Sequence, residues 1–153
     1  MRKLKKIIAT VLAATMMMAM GVTAFAAEPI EEGEYSASVT LYKEAACQHT
    51  SMGNQGIESV VATYKENGTV DITLVSKKVF YSNKQGQLNS FALYTSDGVK
   101  MDATVTGTRT FTIYNFPASD FQEGSVLKGE FTSYVSIMGT RTGYLKVNSL
   151  TEQ

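Results

Sequence analysis

The amino-acid sequence predicts an all-β protein, an immunoglobulin-like antiparallel β-sandwich of about eight strands with one short helical turn. Three observations lead to this prediction. Apolar and polar residues alternate with a period of two along most of the chain, which is typical of half-buried strands. Turn-forming residues separate the alternating segments at short intervals, and helix-period patterning is nearly absent. The antibody-type cysteine pair and tryptophan are missing, so the likeness to immunoglobulins concerns architecture alone.

The first 27 residues have the features of a secretory signal peptide. Four basic side chains come first: Arg2, Lys3, Lys5 and Lys6. An apolar run over 7–22 and small residues over 24–27 follow, and the run is short for a membrane span. We therefore expect 1–27 to be a cleaved signal peptide, 28–33 a flexible lead-in and 34–150 one β-sandwich domain. The expected location is secreted or extracellular, with association with the cell surface as an open alternative.

The composition argues against several classes of function. With the leader removed, 10 basic and 14 acidic side chains remain, a balance of about −4 that disfavours a nucleic-acid partner. The single His and the single Cys argue against a zinc cluster, a disulfide framework and a histidine-based catalytic set. The carboxylates are scattered over turns and outward faces. We therefore expect a protein that is not an enzyme.

The first half of the domain contains three predicted strands and one irregular segment. Strand 35–41 alternates apolar and polar residues throughout. The stretch 45–58 breaks this pattern, so we expect a loop there with one short helical turn. Strands 59–65 and 69–75 flank Asn67-Gly68, a strong hairpin signal because both residues of such a turn adopt positive φ.

Three strands are predicted next, separated by polar loops and glycine-containing turns: 88–94, 100–106 and 110–116. In the second of these, Met101, Ala103 and Val105 alternate with polar residues and are expected to share one face. Pro117 ends the third strand, because proline lacks the backbone donor that a strand ladder needs.

The last two predicted strands, 126–138 and 144–150, form a hairpin with 139–143 as its loop. This register pairs Ile137 with Leu145 and turns the apolar positions of both strands inward, whereas a slip of one residue would invert them. The same register forms a patch on the outer face: Tyr134, Met138 and Tyr144, with Lys146 beside them. Aromatic rings and a thioether on an outer face indicate a binding surface, unless a neighbouring loop covers them.

The order of these features resembles that of the NEAT (near iron transporter) domain of Gram-positive surface proteins, over residues 33–150. Gly33-Glu34-Tyr35 is similar to the opening of the family's first strand, and Ser51-Met52 to the start of its short helix over the haem pocket. Asn67-Gly68 falls where the family has its early hairpin, and the last hairpin where it has its haem motif, Tyr-x-x-x-Tyr. The resemblance implies an immunoglobulin-like sandwich that binds haem without catalysis.

The resemblance also implies an iron ligand. In the family's motif the first tyrosine ligates ferric iron as phenolate, and the second hydrogen-bonds to it. If Tyr144 matches the second tyrosine, the first falls at Thr140, whose hydroxyl is too short and too weakly acidic to replace a phenolate. Tyr144 itself is then the first candidate for the iron ligand. The alternatives that stay open are Met52, Met138 and His49.

The other site residues have two interpretations each. Ser51 and Lys146 are candidates to hold a haem propionate, and Tyr134 extends the outer patch beside them. Ser51 could equally cap the short helix. The methionines could be packing residues, and His49 could be a solvated loop side chain.

Two functions from different classes follow. The first is a secreted or cell-surface haem-binding module of a Gram-positive-type bacterium, which captures or relays haem for iron acquisition. Its partners would be haem itself and either a haemoprotein or another haem-relay domain. The second is a cofactor-free immunoglobulin-like module that binds a protein or glycan through the same outer patch. Neither function involves nucleic acid or insertion into a membrane after signal cleavage.

Overall fold

The computed structural model of the protein describes residues 29–81, 84–133 and 139–153. These residues form strands in the order β1 (Gly33–Tyr42), β2 (Ile57–Tyr64), β3 (Thr69–Ser76), β4 (Val79–Tyr81), β5 (Lys84–Gly86), β6 (Leu88–Tyr94), β7 (Lys100–Asp102), β8 (Thr104–Gly107), β9 (Thr110–Pro117), β10 (Val126–Ser133) and β11 (Thr140–Glu152). Two short 3-10 helices accompany them, Met52–Gly56 and Ala118–Asp120. Within this part of the chain, no helix combines the length and the apolar character needed to cross a membrane. The predicted fold class, an all-β antiparallel sandwich, is confirmed.

Nine strands form one continuous sheet, in the order β7-β6-β10-β11-β1-β2-β3-β9-β8, while β4 and β5 form a separate hairpin. Strand β1 lies at the middle of this order and belongs to both layers of the sandwich. Residues 33–37 pair with β2, residues 35–42 pair with β11, and the register shifts between Ser38 and Val39. The sheet therefore folds over on itself at β1, and its two halves enclose one core.

The core is a single cluster to which both layers contribute. Several side chains without any exposed surface form its centre: Ile72, Leu74, Leu93, Ile113, Phe116 and Leu145. Phe91 stacks on Phe131 in one layer, with ring centroids 6.1 Å apart, and Tyr35 meets Tyr64 edge-on in the other. Each aromatic pair of this kind contributes about 0.5–1.5 kcal/mol beyond burial. The core thereby defines an outer face for every strand that packs on it.

The segment predicted as one strand, 100–106, is two strands in different layers, so that prediction is wrong. Strand β7 pairs with β6 and β8 pairs with β9, and the two lie at opposite ends of the strand order. Ala103 stands between them and donates its N–H to the Phe91 carbonyl oxygen at 2.9 Å. Val105 is 69 % exposed and does not share a buried face with Met101. The alternation continues through this crossover because it reports an extended backbone and not the identity of the partner strand.

The predicted hairpin at Asn67-Gly68 is present between β2 and β3, but its turn differs from the expected one. Gly68 has φ +81°, whereas Asn67 is not among the described residues with positive φ. Gly68 donates its N–H to the Lys65 carbonyl oxygen at 3.3 Å, and the Asn67 side-chain oxygen accepts from the Thr69 N–H at 3.1 Å. Asparagine favours this turn through its side-chain amide, and the positive φ is needed at the glycine alone.

Candidate functional site

The last hairpin has a different register from the predicted one. Strand β10 ends at Ser133 and β11 begins at Thr140, so most of the predicted loop 139–143 belongs to β11. Tyr144 lies opposite Lys128 of β10 and not opposite Met138. The two registers differ by an even number of residues, so the predicted inward and outward faces of β11 are retained.

A pair of glycines explains the observed register. Gly129 of β10 lies directly opposite Gly143 of β11, and both face the core. A Cβ atom at Gly129 would lie 2.8 Å from the Phe131 ring, and one at Gly143 would lie 3.3 Å from it. The two glycines therefore leave the space that the Phe131 ring occupies. The prediction matched apolar side chains alone and took no account of positions that must lack a side chain.

Tyr144 is the centre of a row of side chains that crosses the outer face. Its neighbour on β1 is Tyr42 and its neighbour on β10 is Lys128. Beyond Lys128 lies Tyr94 of β6, since the Lys128 ammonium is 5.0 Å from the centre of that ring. Beyond Tyr42 lies Thr50, which forms an isolated bridge with it. Directly opposed residues share a face and have Cβ atoms about 4.5–5.5 Å apart, so Thr50, Tyr42, Tyr144 and Lys128 form one surface.

The 3-10 helix is fastened to the strand residue that precedes Tyr42. The Leu41 N–H donates to the Asn54 side-chain oxygen at 2.8 Å, and the Leu41 carbonyl oxygen accepts from the Ser51 N–H at 2.8 Å. The Ser51 hydroxyl caps the helix by accepting from the Gly53 N–H at 3.2 Å. Met52, the first helical residue, is 42 % exposed. The helix therefore lies next to the row that contains Tyr144.

Of the remaining predicted site residues, Lys146 lies on the same face and His49 lies in the loop before the helix. Lys146 is half-buried and stands opposite Thr40 and Val126. The His49 Nδ1 atom is 3.2 Å from a Glu44 carboxylate oxygen, and the imidazole is largely exposed. The Glu44 pKa lies below its usual value, chiefly because the His49 backbone N–H donates to that carboxylate. Because Nδ1 of His49 faces Glu44, Nε2 is the ring nitrogen that is available to a metal.

The position of the expected first tyrosine carries a short hydroxyl with a partner of its own. Thr140 is exposed, and its Oγ1 lies 2.8 Å from the Thr132 Oγ1 across the hairpin. Tyr134 and Met138 lie outside the described residues. Among the residues that are described, no three His, Cys, Asp or Glu side chains form a group that could hold a metal. The candidate iron ligands among the described residues are therefore the Tyr144 phenol on this face, the Met52 thioether at the helix and the His49 imidazole in the loop.

A second feature of this face, at the ends of β6 and β10, was not predicted. The Tyr94 hydroxyl donates to a Glu130 carboxylate oxygen, and the Lys100 ammonium lies 3.4 Å from the other oxygen. This hydrogen bond raises the Tyr94 pKa and is the main cause that lowers the Glu130 pKa. A groove of about 540 Å³ opens beside the Tyr94 ring. Its polar lining includes Ser96, Ser119, Asp120, Ser125 and Lys128.

Comparison with known proteins gives a clear result for the fold. No family model matches the sequence, and no curated protein matches it. The solved structures that resemble the chain include the NEAT5 domain of IsdX2, a B. anthracis hemophore, and a mutant of the same domain, each in complex with haem. The mutant is 18% identical with a TM-score of 0.55, and the matched regions cover 78% of this chain and 97% of that chain. The other structure is 17% identical with a TM-score of 0.53, and the matched regions cover 77% of this chain and 97% of that chain. The chain therefore has the fold of these NEAT domains.

Proposed function

We propose that the protein is a haem-binding module, and that haem binds on the outer face of the last hairpin beside the 3-10 helix. The observation that carries the proposal is the placement of Tyr144. Its phenol is half-buried on the outer face of β11, in a chain whose fold is that of domains solved with haem. Tyrosine phenolate is a recognised ligand of ferric haem iron.

The charges around Tyr144 support this placement. Lys128 lies directly opposite Tyr144, and Lys146 lies two residues further along the same face of β11. Two cations on this face complement the two negative propionates of haem. We assign a propionate to Lys146, and we include Ser51 and Met52 at the neighbouring helix in the site. Tyr134 and Met138 remain predicted members of the site.

We further propose that the module acts outside the cell. The predicted signal peptide supports export, and the solved relatives in fold include a hemophore. The role that fits is capture or relay of haem for iron acquisition, with a haemoprotein or another haem-relay domain as the second partner. Binding and release of haem suffice for this role, so no catalytic group is assigned.

The test is a haem titration of the purified protein followed by its Soret absorbance. We expect saturation at one equivalent of haem and a ferric phenolate spectrum. Tyr144→Phe should abolish that spectrum and weaken binding by more than about tenfold. Tyr114→Phe is the matched control, because Tyr114 is a 49 % exposed tyrosine on β9 in the other layer. Absence of saturable binding would refute the proposal.

An unchanged spectrum in Tyr144→Phe would instead move the ligand to one of the alternatives. Met52→Leu and Met138→Leu each remove a thioether at nearly constant volume, and His49→Gln removes the imidazole. The variant that loses the wild-type spectrum then identifies the ligand.

The second candidate is a cofactor-free module that binds a glycan, and the groove beside Tyr94 favours it. An aromatic ring bordered by several hydroxyls and a carboxylate offers both a stacking surface and hydrogen-bond partners to a sugar. A glycan array should then give binding that Tyr94→Ala abolishes while haem binding is unaffected. No binding to any glycan of the array would remove this candidate.

A further inference from the structure

We propose that Tyr42 is the second phenol of the haem site: Tyr144 binds ferric iron as phenolate, and the Tyr42 hydroxyl donates a hydrogen bond to it. This inference rests on the proposed haem-binding function and gives that site a positioning residue from a different strand. It replaces the pairing of two tyrosines along one strand with a pairing across two strands, β1 and β11.

The register places the two tyrosines opposite each other. Tyr42 and Tyr144 are directly opposed in the antiparallel pair of β1 and β11, so both side chains rise from the same face. Directly opposed residues have Cβ atoms about 4.5–5.5 Å apart, so the two side chains start from adjacent points of that face. Both are half-buried, so both combine a fixed position with access from outside.

Thr140 is unable to fill this role. It lies four residues before Tyr144 on β11, which corresponds to about 13 Å along an extended strand. A tyrosine at that position could lean along the strand, whereas a threonine side chain ends one bond beyond its Cβ. Its hydroxyl is also within hydrogen-bond distance, 2.8 Å, of the Thr132 hydroxyl. Across the strand pair, Tyr42 of β1 is the residue with a hydroxyl directly opposite Tyr144.

The backbone before Tyr42 is held on both sides. The Leu41 N–H and carbonyl oxygen are both engaged by the 3-10 helix, through Asn54 and Ser51. Tyr42 itself bridges to Thr50 on the side opposite to Tyr144. A residue fixed in this way donates a hydrogen bond with little further loss of conformational entropy, which is the requirement for a positioning residue.

The two phenols have different neighbours. Lys128 lies opposite Tyr144 on its β10 side, whereas the neutral hydroxyl of Thr50 is the neighbour of Tyr42 on its far side. Tyr144 lies between Tyr42 and Lys128 at the centre of the row and is the assigned iron ligand. Tyr42 is then the donor. A hydrogen bond to an anionic oxygen is among the strong ones in proteins.

The test is the acid titration of the haem complex of Tyr42→Phe, which keeps the ring and removes the hydroxyl. The phenolate of Tyr144 loses a hydrogen bond that stabilises its anion, so it should be protonated and released from iron at a higher pH. We expect the midpoint of this spectral change to rise by about one to two pH units and the rate of haem release to increase about tenfold. Tyr114→Phe should match the wild type in both measurements.

A measurement on the wild type covers the case in which Tyr42→Phe fails to fold. Resonance Raman spectra of the haem complex should show an iron–phenolate stretch that shifts in D₂O, because a hydrogen-bonded phenolate senses the exchanged proton. A stretch insensitive to D₂O would overturn the proposal.

The outcomes also distinguish a failure of the proposed function from a failure of the Tyr42 assignment. No saturable haem binding by the wild type refutes the function and the Tyr42 assignment together. A second outcome overturns the Tyr42 assignment alone. In that outcome Tyr144→Phe disrupts haem binding, whereas Tyr42→Phe has the acid midpoint and the release rate of the wild type. Loss of the phenolate spectrum in Tyr42→Phe with its retention in Tyr144→Phe also overturns it, because Tyr42 would then be the ligand.

Discussion

Replacing Gly129 with alanine is the most direct test of the observed register. The added Cβ would lie 2.7 Å from the Ala92 carbonyl oxygen and 2.8 Å from the Phe131 ring. The first of these atoms belongs to the backbone of β6, which cannot move aside without disturbing its own ladder. Gly129 is not among the described residues with positive φ, so the cost is one of space and not of backbone conformation.

The magnitude follows from two opposing effects. Forcing a methyl group into a filled core costs about 1–3 kcal/mol, and the smaller entropy of the unfolded alanine chain returns about 0.4–1 kcal/mol. We take the upper half of the first range because backbone is involved, and expect Gly129→Ala to lower the free energy of unfolding by about 2 kcal/mol. In a domain of this size that corresponds to a fall of about 8 °C in Tm.

Gly143→Ala is the matched comparison, because it adds the same atom to the facing strand. Its closest contacts are Leu41 Cδ1 at 3.0 Å and the Phe131 ring at 3.3 Å, both of them side-chain atoms that can adjust. We expect a loss of at most about 1 kcal/mol. The assay is urea unfolding followed by circular dichroism, since the chain has no tryptophan to report by fluorescence. Equal effects of the two variants, or a Gly129→Ala protein as stable as the wild type, would refute the close packing of β10 on β6.

Three other predictions concern the site and the pH dependence of stability. Asn54→Ala removes the acceptor of the Leu41 N–H and thereby loosens the 3-10 helix. We expect haem binding to weaken several-fold, with a smaller effect on Tm. Equal haem affinity of variant and wild type in a titration would contradict this. Thr140→Tyr restores a phenol four residues before Tyr144 and should slow haem release, as measured by transfer to excess apomyoglobin; faster release would count against placing haem on this face. Burial raises the Tyr64 pKa, so the stability that comes from keeping this phenol neutral is present below about pH 10 and is lost as the pH rises above it. Above pH 10, the free energy of unfolding in urea should therefore fall by up to about 1.4 kcal/mol per pH unit. The fall should be less steep in Tyr64→Phe. An identical slope in the variant would show that another group is responsible.

Features that depend on neighbours in the chain were predictable. The alternation in 35–41 and 69–75 reports an extended backbone with one buried face, and both segments are strands with bounds close to those expected. The irregular stretch 45–58 contains the expected helical turn at Met52–Gly56. The inward positions of Leu145 and Val147 were also correct, because a strand's two faces follow from its own sequence.

Features that depend on distant partners were not predictable from the same patterns. The crossover at Ala103 leaves the alternation intact, so one strand and two strands look identical in sequence. The register of the last hairpin is consistent with two small residues facing each other, Gly129 and Gly143, and such a pair gives no hydrophobic signal. Tyr42 stands about a hundred positions before its neighbour Tyr144, although its place after Leu41 in an alternating strand already indicated an outward ring.

The sharing of β1 between the two layers has a consequence for when the proposed haem site can form. Its two phenols are contributed by the first strand of the sandwich and by the last, and they meet when β11 docks along β1. A growing or clipped polypeptide that lacks β11 keeps Tyr42 and Lys128 but has no Tyr144 between them. Under the proposed function, haem uptake therefore reports that β11 has docked, and its binding free energy adds to the stability of the complete sandwich.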